Sequence, residues 1–349
     1  MIEVIKKYLN IFGLPRLIIT MLFITVCIAA VVLKLPVYLI ASDVIRRFGM
    51  FGILALAMVP SIQCGTGPNF ALPIGIICGL LGSLLAIEFG LTSKYLGYGF
   101  ISAVLISVPF AVLSGWVYGM LLNKIKGSEM LVATYTGFSI VSFMQIGWVI
   151  LPFKHEQLVW PIGQGLRVTI SMDSTFGEVL NRLWGFSVAK VYIPTGLLLF
   201  FFLCCTLVWL FSRSKKGIAL KTVGDNPKFA VSSGIDVDKN RILGTILSMV
   251  IGAIGIIVYS LSFGYMQLYL APLYMAFPAV AAVLIGGATT KKIKISHVLI
   301  GTFLFQGLLT IVLPVANQVF PEGNLSEVIR MIVQNGIILY ALTKAGGGL

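Results

Sequence analysis

The residue types that carry covalent or metal chemistry are few in this chain and poorly spaced for it. His155 and His297 lie far apart, neither with a cysteine or carboxylate set at ligand spacing, so the sequence predicts no metal site. Cys27, Cys64, Cys78, Cys204 and Cys205 sit in apolar surroundings without disulfide-like spacing and read as small packing thiols. No G-x-x-x-x-G-K-[ST] loop is present, so the chain has no phosphate cradle of that type for ATP. The apolar runs contain no Ser/His/Asp set and no paired carboxylates. Asp43 is expected in an outer loop before the second span, Glu88 near an outer end and Glu129 near an inner end. Isolated acids of this kind make no proton or sodium relay, which argues against a cation-coupled transporter, although backbone carbonyls alone can bind sodium. What remains is hydrogen-bonding and capping chemistry. It is concentrated in two polar islands, "QCGTGPNF" (63–70) and "KTVGDNPKFAVSSG" (221–234).

The elements that must hold these islands are apolar. Hydrophobic residues make up 58% of the chain and charged residues 11%, more apolar surface than a soluble domain can hide. The net charge of +13 fits basic loops at a cytoplasmic face better than a nucleic-acid partner. A span needs roughly 20 apolar residues. On that scale the chain offers about ten: 17–33, 50–63, 70–89, 98–122, 130–151, 191–211, 243–263, 273–288, 296–316 and 326–343. Lys6, Lys7 and Arg16 precede an apolar run with no small-residue cleavage site, so the first span reads as retained. With both termini inside, 16 of the 25 Lys and Arg residues fall in inner loops, including Lys291, Lys292, Lys294 and Lys344. The reverse orientation puts the dense "SRSKK" cluster outside, so termini in the cytoplasm are favoured. The expected outcome is an all-α polytopic membrane protein, one domain over 1–349, with a cytoplasmic loop at 212–242 and an extracytoplasmic loop at 153–190. Within the latter, "DSTFGEVLNRLWGF" begins with Asp173 or Ser174 as a cap. It places Phe176, Val179, Leu180, Leu183 and Trp184 on one face, as a helix in the outer interface would. An ordered loop packed on the bundle is the alternative.

"ALPIGIICGLLG" (71–82) and "AFPAVAAVLIGG" (276–287) share Ala-x-Pro, an apolar run and a glycine nine residues after the proline. In the expected topology the two copies run in opposite directions. Spans two to five then correspond to spans seven to ten as an inverted pseudo-repeat, a recurrent plan among transporters. The island at 63–70 reads either as a short cytoplasmic loop or as a broken helix lining a pathway. Irregular backbone at membrane depth must be buried in protein or line a cavity. Gln63, Thr66 and Asn69 there, with Pro73, Tyr135, Tyr265, Gln267, Pro278 and Asn335 elsewhere, are the candidate pathway residues. Their neutral groups suit a polar uncharged solute, although each could equally be a helix–helix contact.

The second island reads as a short capped helix. Asp225 or Asn226 accepts from orphan N–H groups, Pro227 takes the first helical position, and Gly234 supplies the left-handed stop. Two turns are unstable alone in water, so the helix, with Phe229, Ala230 and Val231 apolar and Lys228 among its basic flanks, must pack on something. That could be the chain's own bundle, and the basic flanks could hold anionic headgroups. Here the sequence resembles the ribose/galactose/nucleoside permeases of ABC importers. Gly217, Ala219, Gly224, Asp225, Asn226, Pro227, Ala230, Gly234 and Ile235 match that loop pattern. "AFPAVAAVLIGGATTKK" is similar to the family's Ala-rich segment, with Lys291 and Lys292 in place of further glycines, and "GSEMLVATYTGF" (127–138) resembles its mid-chain span.

The resemblance implies a type II ABC-importer-like permease subunit in a bacterial inner membrane, itself not an enzyme. Pro227–Ser233 would be the coupling helix that docks on an ATP-binding subunit, and ATP and Mg would act through that subunit. It also implies a second permease subunit, the same or a relative, and an extracytoplasmic solute-binding protein seated on 153–190 and 317–327. The solute would be a monosaccharide or nucleoside. Branched-chain amino-acid permeases share much of the loop, so a zwitterionic solute is the alternative within the class.

Overall fold

The computed structural model describes residues 14–91, 97–162, 165–173, 175–320 and 323–346; Lys6, Lys7, Ser174 and residues 163, 164, 321 and 322 of the outer segments lie outside these. Helices α1 (Leu14–Val32), α2 (Val37–Leu56), α3 (Met58–Gln63), α4 (Leu72–Glu88), α5 (Tyr98–Lys124) and α6 (Glu129–Ile150) form the first part. A loop follows that contains β1 (Thr169–Ser171), the single turn α7 (Val179–Arg182) and the hairpin β2 (Phe186–Val188)–β3 (Val191–Ile193). The second part runs α8 (Thr195–Arg213), α9 (Lys215–Asp225), α10 (Pro227–Ser232), α11 (Val237–Phe263), β4 (Tyr265–Gln267), α12 (Ala271–Tyr274), α13 (Ala276–Ile285), α14 (Ile295–Val319) and α15 (Gly323–Gly346). Among the described residues, six helices are long and apolar enough to cross a membrane: α5, α6, α8, α11, α14 and Leu325–Thr343 of α15. The shorter apolar helices are Arg16–Val32, α4 and the continuous Ala271–Ile285 segment.

Three expectations need correction. Span two does not start at 50. Its helix begins at Val37, so Asp43 lies in a helix and not in a loop, where it pairs with Arg46 at 2.9 Å. Charge lowers the apolarity of this stretch without interrupting the backbone ladder, which is why a hydropathy reading cut it short.

The chain is also not purely helical. β1 and β4 pair antiparallel with Ile170 opposite Met266, and β2 pairs with β3 with Ser187 opposite Tyr192.

The interfacial helix expected over Asp173–Phe186 shrinks to the four residues of α7, because Glu178 and Trp184 adopt left-handed backbone (φ 57° and 53°). Phe176 is drawn into the bundle against Gly99, and the Asn181 amide donates to the Ser262 carbonyl at 3.0 Å. Leu183 and Trp184 stay exposed, so the apolar face is split. The segment is an ordered loop packed on the bundle.

The core is organised around α11. Gly75 and Gly79 of α4 face the backbone of Met249 and Ala253; a Cβ at Gly75 would sit 2.7 Å from the Met249 carbonyl oxygen. Gly115 and Gly119 of α5 face Ile246 and Ile242, where added Cβ atoms would lie 2.8 and 3.0 Å from the Cα atoms. Both pairs have the small-x-x-x-small spacing that lets helix backbones approach in a membrane, where lipid supplies no hydrophobic drive for association. Helix α14 packs against α1, α2, α13 and α15 on the other side.

Candidate coupling surface and translocation face

The 212–242 loop holds two helices in place of the single one read from the sequence. Ser214 Oγ accepts from the Gly217 N–H at 3.2 Å and starts α9; Asn226 Oδ1 accepts from the Phe229 N–H at 3.1 Å and starts α10, with Pro227 at its first position. Gly234 follows at φ 75°, and Asp236 Oδ1 accepts from the Lys239 N–H at 3.0 Å to begin α11. That bond, then the Lys239 ammonium, holds the Asp236 carboxyl below its usual range. Of the side chains on α10, Ala230 is buried, whereas Phe229 is 58% exposed and Val231 66% exposed. Lys228, Asp225 and Asn226 are exposed beside them. Two apolar side chains standing free among polar ones are what a docking helix presents.

The inner side of this loop is tied to the first island. Gly224 lies so close to the island that a Cβ would run into the Gln63 carbonyl oxygen, and one on Gly65 (φ 82°) would sit 3.0 Å from the Gly224 Cα. The Ser212 hydroxyl donates to Gln63 Oε1 at 3.1 Å. The exit of the loop is clamped as well. Lys126 pairs with Asp238 at 2.7 Å, Asn123 donates to the Asp238 carbonyl at 2.9 Å, and Arg241 pairs with Glu129 at 2.5 Å. The Arg241–Glu129 pair is largely buried, and Glu129 Oε2 also accepts from the Gly127 N–H.

Within the island the polar groups bond one another. Ser61 Oγ donates to the Gly67 carbonyl at 2.6 Å, and Thr66 Oγ1 to the Ser61 carbonyl at 2.9 Å. Asn69 is buried; its amide donates to Ser248 Oγ at 2.8 Å and its Oδ1 accepts from the Ala71 N–H at 3.0 Å. Pro73 follows in the first turn of α4. Cys64 packs on Gly244. Gly244 and Ser248 lie 7 and 11 residues into α11, about 10–17 Å along its axis from the Val237 end at 1.5 Å per residue. The irregular backbone is satisfied inside protein, as a non-aqueous surrounding requires.

The other expected pathway residues fall on a different face. A cavity of about 400 Å³ lies between α6, α12–α13 and α15, and its walls include Phe138, Phe277, Pro278, Gln334 and Asn335. Tyr135, one turn before Phe138, is exposed. A second cavity of about 430 Å³ opens between Gly65–Gly67, Gly127–Leu131 and Thr290–Lys291. Both cavities border α6. Tyr265 and Gln267 sit at the opposite end, in β4 against β1. The structure thus brings Pro278 and Asn335 together, groups Gln63, Thr66, Asn69 and Pro73 at the island, and separates Tyr265 and Gln267 from both. Among the six long helices, α6 and α15 are the least apolar and the least buried. Sequence reasoning did not find this face, because the signal is a comparison of exposure between helices.

Residues 40–342 match the family described as the permease component of the branched-chain amino acid transport system. The chain belongs to that family. A nucleoside ABC transporter permease protein, NupB, of Lactococcus lactis subsp. cremoris (strain MG1363) is 24% identical over 252 residues, covering 69% of this chain. The chain spans about two thirds of that relative's length (64%). A metal-chelate-type ABC transporter solved in an inward-facing conformation aligns with 94% of this chain and 98% of its own, at 15% identity and a TM-score of 0.45. Members of the permease family carry membrane helices, which accords with the six long apolar helices seen here.

Proposed function

We propose that this permease forms the translocation pathway of an importer for a nucleoside or monosaccharide, driven by ATP bound on a separate subunit. The observation that carries the reading is the free apolar pair Phe229 and Val231 on a capped helix whose preceding helix, α9, bears on the island at Gly65. Docking of α10 in a groove of an ATP-binding subunit gives that subunit's closure a rigid lever on the bundle. ATP and Mg belong to the partner; this chain breaks no bonds. The segments α1, α2–α3, α4, α5, α6, α8, α11, α12–α13, α14 and α15 overlap the ten expected spans, which supports a ten-span topology; the basic residues of the 212–242 loop favour both termini in the cytoplasm. α4 follows the island that meets the 212–242 loop at Gly65 and Gly224, whereas α13 follows β4 beyond the far end of α11, and this difference in entry supports an inverted repeat.

For the pathway, exposure is the guide. Lipid favours the most apolar helices at its boundary. The two most exposed long helices are here the least apolar, so α6 and α15 face a second permease subunit with the solute between them. The opposite end, 153–190 with 264–270, receives an extracytoplasmic binding protein. The neutral lining (Asn335, Gln334, Phe138, Phe277) suits sugar hydroxyls or a nucleobase. A branched-chain amino acid remains the second reading, on the family description. Replacing Asp225-Asn226-Pro227 with Gly-Ser-Gly is expected to abolish uptake while the protein stays in the membrane; undiminished uptake by that variant refutes the coupling role. Uptake of labelled adenosine, ribose and leucine by the parent then separates the solutes.

A further inference from the structure

A cleft of about 170 Å³ lies beside the second cavity, with which it shares Lys291. Its walls come from three segments: Gln63 of the island, Lys221 and Asp225 of α9, and Lys291, Lys292, Lys294 and His297 around the start of α14. Four ammonium groups face one carboxylate there. Among the described residues none of these four lysines has an ion-pair partner; the paired lysines are Lys126 and Lys239. The positive wall is built into a turn. Thr289 Oγ1 accepts from the Lys292 N–H at 3.0 Å, and the Thr289 N–H donates to the Lys292 carbonyl at 2.9 Å. His297 Nδ1 accepts from the Lys294 N–H at 3.3 Å, which leaves the proton of a neutral ring on Nε2, as a donor. Arg16 adds a further cation near the cleft: its guanidinium lies against Gly287, and its Nε is buried without a partner.

We propose that this cleft binds a phosphate group, carried by an anionic phospholipid of the inner leaflet or free in the cytoplasm. The size excludes a whole nucleotide, since pockets for such ligands run from about 300 Å³ upward. Lysines act as point charges that suit a phosphate without the planar fork of arginine. The site lies where the apolar run of α14 begins at Ile295, which is the level of lipid headgroups. A phosphate held there bridges the coupling loop, through Lys221, to the turn that follows α13.

The test uses the full chain with its copurifying subunits, reconstituted in phosphatidylcholine vesicles doped with spin-labelled phosphatidylglycerol. The expected result is an immobilised lipid fraction above that of spin-labelled phosphatidylcholine. The combined Lys291→Gln, Lys292→Gln, Lys294→Gln variant loses that excess, with binding roughly 100-fold weaker at about 1 kcal/mol per lysine near the surface. The Lys215→Gln, Lys216→Gln variant keeps it, and arginine at positions 291, 292 and 294 restores it. In phosphatidylcholine alone, equilibrium dialysis with labelled inorganic phosphate assigns the source. Phosphate binding by the parent but not the triple variant, without any lipid excess, assigns the site to free phosphate. The proposal is overturned if neither probe binds, or if the excess survives in the triple variant. It is also overturned if the excess appears only after the ATP-binding subunit has been stripped away, because an acidic side chain of that subunit then fills the cleft.

Discussion

At Gly224 a single hydrogen separates contact from collision, since a methyl group would meet the Gln63 carbonyl oxygen. Overpacking of this kind costs about 1–3 kcal/mol. Gly224→Ala is therefore expected to leave the ATP-binding subunit bound while uptake falls roughly tenfold or more. Parallel assays of uptake and ATP hydrolysis check it, and a proportional loss of both argues for simple misfolding. The Arg241–Glu129 pair makes a separate claim. Removing one member of a buried pair leaves an uncompensated charge, at a cost of about 3–5 kcal/mol. Glu129→Ala should lower the thermal midpoint in detergent substantially, and Glu129→Leu combined with Arg241→Met should recover most of the loss. If the single and double variants melt alike, the pair is not the clamp it resembles.

At the scale of elements, the face formed by α6 and α15 is set apart from its neighbours by polarity. Ser142 of α6 and Asn335 of α15 are exposed, as is Leu203 on the apolar helix α8. Exposure alone does not distinguish them. If α6 and α15 line a watery pathway and α8 meets lipid, Ser142→Cys and Asn335→Cys react with a charged water-soluble thiol reagent above the parent chain. Leu203→Cys does not react. Equal labelling at all three positions removes the pathway from this face. The short helix α10 shows the converse case, in which local chemistry is sufficient. Asn226, Pro227 and Gly234 specify its start and stop within nine residues, and the structure has the cap bond and the positive φ at those positions. The neighbouring α9 was equally accessible through Ser214 and was missed, because its first turn, "KKGI", carries no apolar period.

For the whole molecule, the assignment stands on the relation between a bundle of apolar helices and the exposed helix α10. Uptake should cease on ATP depletion and persist in the presence of a cation ionophore; the reverse pattern identifies an ion-coupled transporter. Pull-down from the native membrane in gentle detergent should bring down a near-stoichiometric ATP-binding subunit, lost on scrambling Asp225-Asn226-Pro227. A chain that emerges alone and folded denies the lever a partner.

The amino-acid sequence by itself was enough for the helical membrane class, the capped helix α10 and the family, because each depends on signals confined to a short window: apolar runs, cap residues at fixed offsets and one loop pattern. It located Asp43 wrongly and left Asp173–Phe186 open between a helix and a packed loop, because hydropathy and periodicity cannot weigh tertiary anchors such as Phe176 on Gly99. Only the tertiary structure could bring Gly65 against Gly224 and Gln63 to Ser212, or show that Asn69 bonds Ser248. Those residues lie more than 140 positions apart in the chain, and no local period encodes which helix faces meet. Membrane helices make this sharper, since lipid rewards apolar surface everywhere and leaves the choice of neighbours to close backbone packing at small residues such as Gly75, Gly79, Gly115 and Gly119.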